Sequence, residues 1–105
     1  RTDAGKVEEV PLRGLPLGGV ANFGYRQTET LLNKGDVVLM QSDGLPERFN
    51  AASEMFGYER VSEFLVANSD LPLDAFLTRL VSLSEEWAGG IPAADDMTFV
   101  AIRAV

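Results

Sequence analysis

Neither cysteine nor histidine occurs among the 105 residues. The absence of cysteine removes disulfides, thiolate metal sites and cysteine nucleophiles together, and it fits the reducing cytoplasm where we expect the protein to work. The absence of histidine excludes a Ser-His-Asp triad, an imidazole zinc site and the commonest general base. Any chemistry must then rest on carboxylates, Lys, Arg, Tyr or hydroxyls, or on a metal held by oxygen. No apolar run approaches the roughly 18 residues that a membrane span requires. Basic residues are also scarce: nine Lys and Arg stand against sixteen Asp and Glu, for a net charge of −7. That balance argues against a nucleic-acid partner, which needs a basic face. A solvated acidic surface gives the same total, so the charge alone does not indicate a cation site.

What is present is a globular composition, 46% apolar and 24% charged, long enough for one domain or part of one. Lys6 to Val10 reads as a short strand after a turn at Asp3-Ala4-Gly5. Pro11 to Gly24 is a loop rich in Gly and Pro. Arg26 to Leu32 alternates like a second strand, followed by a turn at Asn33-Lys34-Gly35. The run from Asp36 to Ser42 holds four consecutive apolar residues, which predicts a strand covered on both faces, ended by Asp43-Gly44-Leu45-Pro46. Tyr58, Val61, Phe64 and Leu65 recur at helical spacing. A second helix is predicted over 72–88, with Pro72 at its start, Asp74 in its first turn and a stripe of Leu73, Phe76, Leu77, Leu80, Val81, Ser84 and Trp87. Gly89-Gly90 ends it. Met97 to Val105 is a final strand, apolar except mainly at Arg103. Strands, then helices, then a strand give an α+β fold: an antiparallel sheet with helices packed on a face.

Placing the acids on this outline produces the chemically informative feature. Asp43 follows the end of one apolar strand, and Asp95 and Asp96 precede the start of another. If these strands are antiparallel neighbours, about 4.8 Å apart, the carboxylates meet at one edge of the sheet. Like charges so placed repel unless a cation neutralises them, and hard divalent ions with oxygen ligands are the expected occupants. Gly44 would leave room for a metal or its waters. The same residues also suit plain structural roles, Ser42-Asp43-Gly44 as a turn and Asp95-Asp96 as a loop.

Four segments in order carry a resemblance: LPLG (15–18), KGDVVLMQSDGLPE (34–47), NAASEMFGYERV (50–61) and ADDMTFVAIR (94–103). Together they resemble the protein phosphatase 2C-like, SpoIIE/RsbU-type serine/threonine phosphatases. The resemblance implies that the sheet and helices form part of an αββα sandwich. It implies that residues 1–105 are the C-terminal portion of a single phosphatase domain whose N-terminal portion lies outside this chain. Asp43 and Asp95 match metal-binding aspartates, with Gly44 and Asp96 in supporting positions and Glu47 structural. Ser42 stands where the family more often has threonine. The cofactor implied is Mn2+ or Mg2+ in a two-metal site, with activated water attacking phosphorus. The substrate implied is a phosphoprotein such as a phosphorylated STAS-domain anti-sigma-factor antagonist, under an upstream sensor or receiver domain. The isolated chain is expected to be inactive, since it supplies only part of the ligand set.

Two other readings remain at this point: a non-catalytic binding module, which could form a homodimer, and an ordinary α+β domain whose acids are turn residues. Asp36 is read as a structural turn residue. Trp87, Phe76 and Phe64 are read as core, as are Met40, Met55 and Met97. Arg1, Arg13, Arg26 and Arg48 are read as surface cations. Phe56-Gly57 is expected to pack a loop and start the next helix.

Overall fold

Asp36 sets the geometry of the first element. A computed structural model describes residues 6–11 and 14–105, and in it the Asp36 carboxylate is fully buried and accepts the Asn33 backbone N–H at 2.9 Å. An aspartate that bonds back across a turn fixes the direction in which the chain leaves it. Asp36 thereby launches β1 (Val37–Gln41), which pairs antiparallel with β2 (Phe99–Arg103) in a register running from Val37 opposite Arg103 to Gln41 opposite Phe99. Both strands, their antiparallel pairing and the structural role of Asp36 agree with the sequence.

Between the strands lie α1 (Gly57–Asn68) and α2 (Leu73–Ala88). Val61 and Phe64 of α1 and Phe76 and Leu80 of α2 bury together with Leu45 and Phe56. The Phe64 and Phe76 rings meet edge to face, 5.0 Å between centroids. Each such side chain contributes about 1.5–3 kcal/mol by leaving water. Leu39, Phe99 and Ala101 pack against this cluster, so the helices cover one face of the sheet. The Arg103 guanidinium reaches from β2 to the carbonyls of Ser69 and Leu71 just beyond α1. It places a cation at the negative end of a helix that has no basic residue in its last turn. No helix among the described residues is long and apolar enough to cross a membrane.

Gly89 ends α2 in the left-handed conformation, φ 59°, with its N–H bonded to the Glu85 carbonyl at 3.1 Å. A side chain there would meet no atom within 4 Å, so the requirement is conformational alone. Gly89→Ala should therefore lower stability by about 1 kcal/mol, read as a shift in a urea denaturation midpoint with unchanged slope.

Several expectations need correction. Residues 6–10 and 26–32 are not strands. Alternation gives them strand propensity, but the only sheet among the described residues is the β1–β2 pair, and neither segment joins it. The β1–β2 sheet is not covered on both faces. The pleat sends Met40, Val100 and Ile102 to the side away from the helices, where they are 49%, 46% and 48% exposed. Met40 is thus not core, nor is Met55, which lies exposed beside the Phe49–Met55 bridge. Tyr58 and Val81 lie at the margins of their helical stripes and are exposed. Arg48 is not a surface cation but is 5% exposed. Its guanidinium donates to the Ile91 carbonyl at 2.9 Å and to the Glu85 carboxylate at 3.3 Å, tying the loop after α2 to the loop before α1. Arg26 is exposed as expected. Arg1, Arg13 and the turn at Asp3-Ala4-Gly5 lie outside the described residues.

Candidate functional site

The candidate site is built from the two loops at one end of the β1–β2 ladder. After Gln41 the Ser42 N–H still bonds the Thr98 carbonyl at 3.0 Å, as a continuing ladder would. The return bond is different: the Thr98 N–H donates to the Ser42 hydroxyl at 2.9 Å. That hydroxyl in turn donates to the Asp96 carbonyl at 3.1 Å. Ser42 therefore closes the ladder with its side chain, which frees its own backbone to turn away. Only the hydroxyl is used, so the short serine side chain suffices for the bridge.

The next five residues wind into a helical turn, with the Glu47 N–H on the Asp43 carbonyl at 3.1 Å. Leu45 and Pro46 are buried and anchor the turn in the core, whereas Asp43 and Glu47 stay at the surface. Gly44 lies directly against the opposing loop. A β-carbon built on it would stand 2.3 Å from the Asp96 carbonyl oxygen and 2.9 Å from both the Asp96 carbonyl carbon and Met97 Cγ. The space beside Gly44 is taken by protein backbone, which corrects the expectation of room for a metal or its waters. A close approach of two chains is one of the few things that demands glycine.

The bonds of Ser42 and the packing of Gly44 thus bring the Asp43 turn against the Asp95–Asp96 loop, both exposed to solvent. Asp95 turns one carboxylate oxygen, Oδ1, to the Asp96 N–H at 2.8 Å. Asp43 accepts at Oδ1 from the Tyr58 hydroxyl, 3.2 Å away in the first turn of α1. That bond pushes the Tyr58 hydroxyl above its ordinary value near 10, with partial desolvation and the negative charges of Asp43, Glu47 and Glu9 adding to it. Because the folded value lies above the unfolded one, this contribution is present below pH 10 and is lost as pH rises through the raised value.

The donor set has the right chemistry for a hard cation, since it offers carboxylate oxygen with no imidazole or thiolate to compete. It does not close a metal site unaided: among the described residues no group of three or more acidic side chains could hold an ion. Sequence reasoning placed Asp43, Gly44, Asp95 and Asp96 on the loops at this end of the ladder but missed the hydroxyl bridge of Ser42 and the contact from Tyr58. The Tyr58 hydroxyl is a polar tip on a residue assigned to an apolar stripe. That mismatch was the available signal.

Comparison with known proteins bears on the family and the fold. The family described as Stage II sporulation protein E (SpoIIE) matches over residues 1–105. Among solved structures, the SiaA-PP2C domain of Pseudomonas aeruginosa is similar with a TM-score of 0.72 and 25% sequence identity. The similarity covers 78% of this chain and 34% of that one, so the chain spans about a third of that structure's length. No curated protein matches the chain.

Proposed function

The chain belongs to the Stage II sporulation protein E (SpoIIE) family, and from that membership we propose that it is the C-terminal part of a metal-dependent phosphoprotein phosphatase domain. The observation that carries the proposal is the clasp at the end of the ladder, where Ser42 and Gly44 hold the Asp43 turn against the Asp95–Asp96 loop. A protein spending hydrogen bonds and a close backbone approach on joining two exposed acidic loops gains little stability from their charges, which repel. A shared cation accounts for the expense.

In this reading Asp43 and Asp95 offer carboxylate oxygens to Mn2+ or Mg2+, Asp96 shapes the loop, and ligands beyond the described residues complete the site. The metal, when bound, supplies water activation and charge neutralisation at phosphorus, which removes the need for histidine or cysteine. The substrate class is phosphoserine or phosphothreonine on a regulatory protein in the cytoplasm, such as a phosphorylated STAS-domain anti-sigma-factor antagonist, under control of an upstream sensor or receiver domain. The half-exposed outer face of Met40, Val100 and Ile102 is covered, in the complete domain, by the remainder of an αββα sandwich.

That same face favours a second reading, a binding or dimerisation module in which a partner or a second copy covers the sheet and the acids hold no metal. Hydrolysis of a phosphoserine protein by the complete domain separates the two. The phosphatase reading predicts turnover that chelator abolishes and added Mn2+ or Mg2+ restores, with little or none from the 105-residue chain alone. Turnover that survives chelator contradicts the metal-dependent mechanism, and no turnover with either metal favours the binding module.

A further inference from the structure

We propose that Tyr58 is a positioning residue for Asp43, an inference that rests on the phosphatase reading and deepens it. Tyr58 occupies the first turn of α1 on the margin of its apolar stripe and is 54% exposed, so filling the core does not explain its ring. Its hydroxyl donates to Asp43 Oδ1 at 3.2 Å. Among the described residues no other side chain donates a hydrogen bond to Asp43.

The contact is not a chance meeting of loose side chains. The start of α1 is pinned to the segment that bears Asp43, because the Gly57 N–H bonds the Pro46 carbonyl and the Phe56 N–H bonds the Arg48 carbonyl, each at 2.8 Å. The fully buried Leu45 and nearly fully buried Phe56 anchor both partners in the common core. A tyrosine with two side-chain torsions, mounted on a helix so fixed, loses little freedom in making this bond. An exposed carboxylate otherwise turns freely about its two torsions. With Oδ1 engaged, Asp43 is held in one orientation, and Oδ2 is the oxygen left for a ligand. Groups that orient a metal-binding side chain from outside the ligand set commonly change metal affinity by about 10–100-fold when removed.

The test is Mn2+ affinity of the complete phosphatase domain, read from the electron paramagnetic resonance of free Mn2+, for wild type, Tyr58→Phe and Asp43→Asn, with thermal midpoints taken alongside. Tyr58→Phe should weaken Mn2+ binding by about tenfold, the lower end for such residues because the site is exposed. Its thermal midpoint should fall by no more than about 2–4 °C, since the ring remains and only one exposed hydrogen bond is lost. Asp43→Asn should weaken binding further. Unchanged or tighter binding in Tyr58→Phe, with Asp43→Asn weakened, overturns the role of Tyr58 and leaves the phosphatase reading standing. A loss in Tyr58→Phe that accompanies a midpoint lowered well beyond that also overturns it, since the effect then belongs to folding. Unchanged binding in both variants removes the assignment of Asp43 as a ligand and the proposal with it.

Discussion

Gly44→Ala should be among the most damaging single-methyl additions in this protein. The added carbon would stand 2.3 Å from the Asp96 carbonyl oxygen, well inside contact distance, and its neighbours are mainly backbone atoms that cannot rotate aside. Overpacking a well-filled interior costs about 1–3 kcal/mol when side chains can adjust. Here the two loops must separate, so we expect the upper end of that range or beyond, a large share of the roughly 5–15 kcal/mol that holds a typical domain together. The cause is space and not conformation, because Gly44 is not among the glycines with positive φ. Gly24 supplies the control: it also lacks positive φ, and a β-carbon there meets nothing within 4 Å. Gly24→Ala should be neutral or stabilising by up to about 1 kcal/mol, through the unfolded chain. Denaturation midpoints of the two variants against wild type check both statements. Equal midpoints for Gly44→Ala and wild type would mean that the loops are not in contact as described.

Asp43→Asn should have the largest effect on activity. The amide keeps the size of the side chain and can still accept from Tyr58, so the turn should fold as before. What is lost is a full negative charge on an oxygen proposed to face a hard cation. Metal ions contribute several kcal/mol to phosphoryl transition states, and each 1.4 kcal/mol is about tenfold in rate, so a fall of about a hundredfold or more is expected.

What is legible in this sequence is set by the range of the interactions involved. The helices, the Gly89 stop, the Asp36 turn and the two apolar strands are local features, readable from spacing and punctuation, and their antiparallel pairing followed from the order of elements. The segments 6–10 and 26–32 alternate as strands do, yet extended structure needs a neighbouring ladder, and local pattern does not report whether one exists. Met40 illustrates the same limit, since four apolar residues in a row do not say which of them the pleat turns outward. Arg48 is buried because Glu85 and Ile91, far along the chain, engage its terminal nitrogens Nη1 and Nη2. The clasp is also long-range, spanning from Ser42 to Asp96 and Thr98. The acids were legible as a pair of loops, but what joins those loops was not.

The most direct test of the central claim is hydrolysis of a phosphoserine protein by the complete domain in Mn2+, comparing wild type, Asp43→Asn and Asp36→Asn. Asp36 lies at the opposite end of β1, and its asparagine still offers an oxygen to the Asn33 N–H, so this variant controls for damage to the fold. We predict turnover reduced by about a hundredfold or more in Asp43→Asn and retained in Asp36→Asn, even if the latter melts earlier. Equal turnover in Asp43→Asn and wild type would contradict the assignment of Asp43 to the metal site and the mechanism built on it.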